Sequence, residues 1–261
     1  MNDARRIAVV TGASEGLGVE FARVFAERGH DLALVARRAD RLEALADEIA
    51  KSGRPRPIVV ALDLAAADAP GKVAAALKQA GATVEYLVNN AGYGLNGPFA
   101  DLPIDDQLGM IDLNVRSLTA MARQFLPDLR ATRGGMVNVA SIAAFAPGPG
   151  MAVYYASKAY VLSFTEAMRH ELSPLGVRVT VVCPGPVLTE FQARAGFAPG
   201  FDSAILEVSA AEVARQGYEG LMANKRAVLP GLLIKLVPFL LRLFPRSFIL
   251  AAVGGFQLRN R

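Results

Sequence analysis

Short apolar runs without polar alternation recur along the chain, and stretches with helical periodicity separate them. The runs occupy residues 7–12, 31–36, 57–63, 84–90, 135–141 and 177–184, and the helical stretches cover 16–28, 40–51, 68–79, 105–130 and 151–173. Such runs are typical of strands buried on both faces, as in a parallel sheet covered by helices. The pattern predicts an α/β fold with a Rossmann-like, doubly wound parallel sheet of about six or seven strands.

The chain shows no internal boundary. Its 261 residues suit one domain with extra elements, and no Ser-, Gly- or Pro-rich linker divides them. A hydrophobic fraction of 52% is enough to form a large core. We therefore expect a single domain over residues 1–261, in which residues from about 190 onward form a variable substrate region with an apolar C-terminal extension.

Composition excludes several classes of function. The net charge is +4, but the basic residues are scattered as pairs without an aromatic-interleaved stripe, so nucleic-acid binding is not expected. One cysteine, Cys183, and two histidines, His30 and His170, are too few for a usual zinc site. The first residues enter an apolar strand without a secretory signal. The expectation is a reduced, metal-free cytoplasmic protein.

A glycine-rich turn follows the first apolar run. The sequence TGASEGLG places glycines at Gly12, Gly16 and Gly18 and continues directly into a helical pattern. Such glycines let main-chain amides approach a pyrophosphate at the helix N-terminus, where partial positive charge favours an anion. The spacing is Gly-x-x-x-Gly-x-Gly rather than Gly-x-Gly-x-x-Gly. The strand-turn-helix context favours a dinucleotide site over plain packing.

The end of the second run predicts which dinucleotide binds. An NAD site usually has a carboxylate there for the ribose 2′-hydroxyl, whereas this run ends in Ala36, Arg37 and Arg38. The two guanidinium groups suit a 2′-phosphate, and the end of the run offers no competing carboxylate. NADP(H) is therefore the predicted cofactor. The alternative is a pair of solvated arginines, but positive charge is unfavourable at a helix N-terminus.

Two tyrosines precede a lysine in the motif YYASK. Tyr154 and Lys158 are four residues apart and share a helix face, whereas Tyr155 offers the i, i+3 alternative. A tyrosine titrates near pH 10, and a lysine ammonium about 4 to 5 Å away would lower that pKa by about 2 to 3 units. Tyr154 is thus the predicted acid, with Lys158 as the group that lowers its pKa. An ordinary amphipathic helix is the alternative.

Several ordered motifs together resemble the short-chain dehydrogenase/reductase family, from residue 7 to about residue 189. They are TGASEGLG at 11–18, Asp63, NNAG at 89–92, Asn114, Ser141, YYASK at 154–158 and PGPVLT at 184–189. The family pattern Tyr-x-x-x-Lys also selects Tyr154. The resemblance implies that Tyr154 protonates the alkoxide after hydride transfer and that Ser141 binds the substrate carbonyl. It implies that Asn114 holds a water connecting Lys158 to solvent.

The resemblance also implies the cofactor contacts. Asp63 would bind the adenine amino group, and Thr189 would meet the nicotinamide carboxamide. The full set is Gly12, Ser14, Glu15, Gly16, Leu17, Gly18, Arg37, Arg38, Asp63, Leu64, Asn90, Ala91, Gly92, Tyr154, Lys158, Pro184, Gly185, Val187 and Thr189.

Apolar side chains surround the predicted site. They include Tyr93, Leu95, Phe145 and Met151 in loops at strand ends, and Phe191, Phe197, Phe201 and Leu206 beyond the family motifs. A hydrophobic carbonyl compound is the natural substrate for such a pocket.

Residues 228–256 are unusually apolar but carry Lys235, Arg242 and Arg246, with Pro238 and Pro245 as interruptions. No charge-free run reaches the length of about 18 residues that a spanning helix needs. On one helical wheel the three cations fall within about 40°, which suits an interfacial helix at a membrane. A lid over the pocket or an oligomer contact with solvated cations is the alternative, and both interpretations stay open.

The sequence thus predicts an NADP(H)-dependent oxidoreductase that interconverts a hydrophobic ketone or 3-oxoacyl group with its secondary alcohol. The resemblance implies a homodimer or homotetramer formed through the helices at 105–130 and 151–173. Two alternatives remain. One is a sugar-nucleotide epimerase or dehydratase, and the other is a nucleotide-sensing or membrane-scaffold protein of the same fold without turnover.

Overall fold

The structure, a computed structural model, describes residues 5–187 and 208–259. Seven parallel strands form one sheet in the order β3-β2-β1-β4-β5-β6-β7. The strands are β1 (Arg5–Thr11), β2 (Asp31–Ala36), β3 (Ile58–Ala61), β4 (Ala82–Asn89), β5 (Gly135–Val139), β6 (Arg178–Val182) and β7 (Ala227–Val228). The six predicted strands are confirmed. Strand β2 has the predicted bounds, β1 and β4 begin two residues earlier than predicted, and every strand except β2 ends earlier than predicted. The two-residue β7 is an addition.

Helices alternate with the strands, as the periodicity predicted. They are α1 (Gly16–Glu27), α2 (Ala39–Lys51), α3 (Ala69–Gln79), α4 (Ile104–Ile111), α5 (Leu118–Thr132), α6 (Ala152–Leu172), α7 (Ala210–Met222), α8 (Leu232–Leu243) and α9 (Arg246–Arg259). Short 3₁₀ turns cover Ile142–Phe145 and Ser173–Leu175. The order of elements is that of a doubly wound α/β fold.

The sheet is buried on both faces, which explains the apolar runs. In β1, Val10 belongs to the core cluster that includes Phe21 and Phe25 of α1. Its neighbour Val9 belongs to the opposite cluster, with Phe125 of α5. Because successive side chains of a strand point to opposite faces, a strand between two helix layers needs an apolar residue at every position.

The strand order reverses around β1, which pairs with β2 on one side and with β4 on the other. The chain therefore crosses to opposite halves of the sheet, and a crevice forms at the carboxyl ends of β1 and β4. Open α/β sheets bind their ligands at such a switch point. The glycine-rich turn after β1 and the NNAG motif after β4 both lie there.

The long helix predicted at 105–130 is present but not uniform. Between α4 and α5 the backbone adopts a π-helix over Asp112–Ser117, which contains Asn114. Single π-helical turns inside an α-helix are frequent at functional sites, since the wider turn redirects side chains. Periodicity of about 3.6 residues could not reveal this local change.

The C-terminal segment corrects one expectation. Helix α8 continues through Pro238, whereas Phe244 and Pro245 separate α8 from α9. Lys235 and Arg242 thus share α8, but Arg246 begins α9, so the expected single face of three cations is wrong. Within 5–187 and 208–259 no helix combines the length and the apolar character needed to cross a bilayer.

Candidate active site

The glycine-rich turn forms a tight link between β1 and α1. Gly12 has a φ of +68°, which favours glycine, and its amide donates to Val35 O at 2.8 Å. Gly18 lies so close to the turn that an added Cβ would be 2.1 Å from Gly12 O. No side chain caps the first turn of α1, and no acidic residue lies in it. The main-chain amides there suit an anion.

Thr11 and Asn90 hold the two sides of the crevice together. Thr11 Oγ1 accepts hydrogen bonds from the amides of Asn90 and Ala91 at 3.0 and 3.1 Å and donates to Val88 O at 3.1 Å. Asn90 Nδ2 donates to Thr11 O at 2.9 Å. The side-chain amide of Asn90 therefore holds the start of the glycine-rich turn in place from inside the protein. Thr11 was missed as a site residue, although it is the polar residue that ends an apolar strand.

The two arginines after β2 have different surroundings. Arg37 is exposed, whereas Arg38 donates to Glu15 Oε2 at 2.6 Å and to Ser14 Oγ at 3.1 Å. Arg41 Nη1 also lies 3.9 Å from the Glu15 carboxylate. The expectation of no competing carboxylate considered only β2, and it is wrong because the tertiary fold brings Glu15 to Arg38. Ser14, Glu15 and Arg38 thus form one polar rim beside the glycine-rich turn.

The remaining predicted cofactor contacts surround the same crevice. Asp63 is exposed after β3, and its carboxylate accepts the amide of Ala65 at 2.9 Å. Leu64 packs its side chain into the core. After β6, Pro184 O accepts the amide of Ile142 at 2.9 Å, and Val187 is buried. Thr189 lies outside the described residues.

Tyr154 and Lys158 lie one turn apart on α6 and are both buried. Lys158 Nζ is 5.8 Å from the centre of the Tyr154 ring and donates to Val139 O at 2.9 Å. Burial raises the pKa of Tyr154 to about 12, against a smaller lowering by a hydrogen bond with Ser141. Burial also lowers the pKa of Lys158 to about 8.

The direction of the Tyr154 pKa corrects the expectation from the sequence. The sequence argument counted the attraction of a nearby ammonium and left out the loss of hydration, which disfavours a buried phenolate. In addition, the Lys158 ammonium donates a hydrogen bond to the carbonyl of Val139 in β5. The raised pKa keeps Tyr154 protonated at neutral pH, a state in which it can donate a proton.

Ser141 is positioned by the turn that follows β5. Its Oγ accepts a hydrogen bond from the amide of Ala143 at 3.1 Å and caps the 3₁₀ turn. The same side chain also hydrogen-bonds Tyr154. Ser141 and Tyr154 thus present their hydroxyl groups together.

Cys183 directly follows β6 and is fully buried. Burial raises the pKa of its thiol to about 12.

Asn114 connects the π-helix to the cluster. Its Oδ1 accepts the amide of Tyr93 at 3.1 Å, and its Nδ2 donates to Tyr93 O at 2.9 Å and to Ser157 Oγ at 3.0 Å. Ser157 in turn donates to Tyr154 O at 2.7 Å. The Asn114 amide therefore fixes the loop after β4 against α6. Its part in a water relay stays a prediction.

A buried chain of polar side chains supports this arrangement and was missed by the sequence analysis. Asn89 donates to Asn138 Oδ1 at 2.9 Å, and Asn138 donates to Thr165 Oγ1 at 3.0 Å. The chain joins β4, β5 and α6. A lone asparagine inside the apolar run of β5 was the available indication, because a buried amide needs partners.

Apolar side chains enclose the cluster, as predicted. Tyr154 packs with Met110, Ala143 and Met151, and the partly buried Tyr93 and Leu95 lie against this group. Phe145 packs next to the adjacent cluster. Phe191, Phe197, Phe201 and Leu206 fall outside the described residues. The structure therefore brings Asn114, Ser141, Tyr154 and Lys158 together beside an apolar wall.

These features define a class of protein. A doubly wound parallel sheet carries a phosphate-compatible turn after its first strand, and a serine, a tyrosine and a lysine meet near the crevice. Two hydroxyl groups that hydrogen-bond each other next to a crevice suited to a dinucleotide are compatible with an oxidoreductase that acts on a carbonyl or an alcohol.

Comparison with known proteins supports that class. The sequence pattern of the family described as "short chain dehydrogenase" matches residues 6–197. Sulfoacetaldehyde reductase 2 of Chromohalobacter salexigens is 42% identical over 188 residues, which cover 71% of this chain and 74% of that protein. Serine 3-dehydrogenase of Agrobacterium fabrum is 37% identical over 184 residues, which cover 70% and 72%.

The solved structure of a short-chain dehydrogenase from Sphingobium yanoikuyae, in complex with NADPH, is 31% identical in sequence and has a TM-score of 0.80. The match covers 98% of this chain and 96% of the Sphingobium chain. The chain belongs to the short-chain dehydrogenase/reductase family. It is an oxidoreductase that acts on CH–OH groups and the corresponding carbonyls.

Proposed function

We propose that the protein is an NADP(H)-dependent reductase of hydrophobic ketones or 3-oxoacyl groups, and that it works in a cytoplasmic setting. The main support is the convergence of Ser141, Tyr154 and Lys158 beside the crevice of the glycine-rich turn. Tyr154 is 8% exposed and lies against Met110 and Met151, so the proton donor faces an apolar environment. Such an environment favours an apolar substrate over a charged one.

The residues present fit a dinucleotide. The first turn of α1 offers main-chain amides without a side-chain cap, and Gly18 leaves no room for a Cβ. Gly92 keeps a similarly close approach, because an added Cβ would lie 2.8 Å from Asn114 Oδ1. When bound, a nicotinamide dinucleotide supplies or accepts the hydride.

Charge at the end of β2 supports NADP(H) over NAD(H). Arg37 is exposed, and Arg38 lies at the polar rim of the crevice. A 2′-phosphate carries negative charge and accepts several hydrogen bonds, which guanidinium groups satisfy well. Glu15 weakens this preference, since its carboxylate already binds Arg38 at 2.6 Å.

The side chains divide the chemistry among them. Ser141 Oγ hydrogen-bonds the substrate oxygen and orients it toward Tyr154. Tyr154 holds its proton because burial raises its pKa to about 12, so it donates to a strongly basic alkoxide oxygen. Lys158 is largely an ammonium at neutral pH, with a pKa of about 8, and its charge stabilises the phenolate left behind.

Exposed apolar side chains on α4 and α6 support the proposed homodimer or homotetramer. Ile104, Leu108 and Ile111 follow i, i+4, i+7 spacing and are 59%, 50% and 41% exposed, and Tyr160 on α6 is 38% exposed. Apolar residues at such spacing form one stripe on a helix. An unpaired stripe of this kind suits contact with a second copy.

A panel of ketones, steroids and acetoacetyl thioesters, assayed by NADPH and NADH absorbance side by side, tests the proposal. We expect turnover with NADPH and an apolar ketone, and loss of at least about a hundredfold for Tyr154→Phe, which removes the acid. Tyr155→Phe is the matched control, because it keeps the ring that lies against Gly148 and should retain activity. Binding of NADPH without turnover of any carbonyl would favour the scaffold interpretation instead.

A further inference from the structure

The two C-terminal helices expose an extensive apolar surface. Nine of the fifteen large hydrophobic side chains that are exposed in the described part of the chain lie between residues 232 and 250. We call this set the C-terminal apolar face. It consists of Leu232, Leu233, Leu236, Phe239, Leu240, Leu243, Phe244, Phe248 and Leu250, with exposed fractions from 40% to 82%. Clusters of this kind on a soluble-type fold mark interaction sites.

The opposite side of these helices is already used inside the chain. Ile234 is 1% exposed, and the partly buried Val237 and Leu241 lie on the same side of α8. Helix α8 contacts the 3₁₀ turn that follows Ser141. On α9, Ile249 is buried, and Gly254 approaches Pro149. The helices are therefore anchored beside the catalytic cluster, and their outer side remains exposed.

The surrounding charge has a single sign. Residues 220–261 contain seven Lys or Arg residues and no Asp or Glu. Among the described residues, no carboxylate lies within ion-pairing distance of Lys235, Arg242 or Arg246, and all three are exposed. The C-terminal apolar face is thus bordered by cations whose charge nothing described neutralises.

The cations are placed at the edge of the apolar arc of α8. At about 100° per residue, the exposed leucines and Phe239 of α8 cover an arc of about 120°. Lys235 and Arg242 lie within about 20° of each other and about 110° from the centre of that arc. Long basic side chains at this flank can reach upward to headgroups while the apolar arc enters the acyl region.

We propose that the C-terminal apolar face docks the protein peripherally on an anionic lipid surface. The apolar side chains supply contact with the acyl region, and the bordering cations supply attraction to negative headgroups. A second copy is a poorer occupant, because two-fold pairing of this face would bring cations against cations. Since α8 borders the turn after Ser141, docking places the catalytic cluster near molecules dissolved in the lipid.

Vesicle flotation tests the proposal. We expect the protein to float with vesicles of phosphatidylglycerol and phosphatidylcholine, to bind less to phosphatidylcholine alone, and to be partly released by about 0.5 M NaCl. The double variant Leu236→Glu with Phe239→Glu should lose at least about tenfold in bound fraction. Lys235→Glu with Arg242→Glu should lose about as much, and on anionic vesicles only.

Leu175→Glu is the matched control. Leu175 is 41% exposed but precedes β6, at the amino edge of the sheet, so it should bind vesicles like the unmodified protein. Thermal unfolding of each variant shows that the fold is kept. The proposal is overturned if the unmodified protein does not float, or if the Leu236 and Phe239 double variant floats equally well. The proposal is also overturned if the Leu236 and Phe239 double variant has half the molar mass of the unmodified protein in light scattering and neither protein binds vesicles. That result would show that the C-terminal apolar face contacts a second copy.

Tyr154→Phe separates this inference from the proposed function. The inference concerns the outer side of α8 and α9 and needs no turnover. We therefore expect Tyr154→Phe to float like the unmodified protein even where it lacks activity. A loss of flotation in that variant would contradict docking by the C-terminal apolar face.

Discussion

Lys158 is a buried cation, and its removal should stabilise the cofactor-free protein at neutral pH. The side chain is 6% exposed, and burial lowers its pKa from 10.5 to about 8. Protonated Lys158 therefore destabilises the folded state, since the unfolded chain hydrates the ammonium fully. The variant Lys158→Met keeps a long unbranched side chain and removes the charge.

The magnitude follows from the two pKa values. Between about pH 8 and pH 10.5 the unfolded state binds more protons at this residue than the folded state, so stability rises with pH. Well below pH 8, the lowered pKa of Lys158 reduces the free energy of unfolding by about 3 kcal/mol. About 2 kcal/mol of this loss is recovered as the pH rises from about 6.5 to about 9.5. Loss of the hydrogen bond to Val139 O offsets part of the gain.

Urea unfolding at fixed protein concentration measures this effect at both pH values. The stability of Lys158→Met relative to the unmodified protein should fall by about 2 kcal/mol as the pH rises from about 6.5 to about 9.5. Lys78→Met, at an exposed lysine of α3, is the control and should show no such change. A difference between Lys158→Met and the unmodified protein that stays constant with pH would refute the buried-ammonium argument.

Three further predictions follow from the crevice and its support. Gly18→Ala places a Cβ 2.1 Å from a main-chain oxygen of the glycine-rich turn. It should weaken NADPH binding, measured by calorimetry, at least about tenfold. Gly71→Ala, where the added Cβ meets open space, is the control and should leave NADPH binding unchanged. Asn138→Ala removes the acceptor of the buried Asn89 amide and one of the two hydrogen bonds of Thr165 Oγ1, which still donates to Val161 O. It should lower the free energy of unfolding by about 1 to 3 kcal/mol in urea titration. Glu15→Gln removes the carboxylate that binds Arg38 and so removes a negative charge from the polar rim. The ratio of NADPH affinity to NADH affinity should therefore rise about fivefold. An unchanged ratio would show that this ion pair does not influence the choice of cofactor.

Much of the framework was predictable because it depends on local sequence. The apolar runs identified six strands, and the i, i+4 spacing chose Tyr154 over Tyr155 as the tyrosine beside Lys158. The position of the π-helix at Asn114 was not predictable, since its residues have ordinary helical periodicity. The two-residue β7 was also missed, because a strand that short has no pattern of its own.

Partnerships between distant residues were the main gap. Asn89 and Asn138 are 49 residues apart in the chain, and Glu15 and Arg38 are separated by an entire helix and strand. Their types were visible, but no local rule pairs them. The error in the C-terminal segment was of another kind, because Pro245 was a visible local break that the single helical wheel did not apply, and Arg246 lies on a different helix from Lys235.

The amino-acid sequence by itself determined the order of strands and helices, the glycine-rich turn and the common helix face of Tyr154 and Lys158. These properties follow from residue spacing and backbone sterics, which act over a few residues. The tertiary structure alone decided the protonation of Tyr154, the pairing of Arg38 with Glu15 and which side of α8 is exposed. The hydration of a group and its ion pairs depend on which parts of the chain pack around it, so only the tertiary structure determines them.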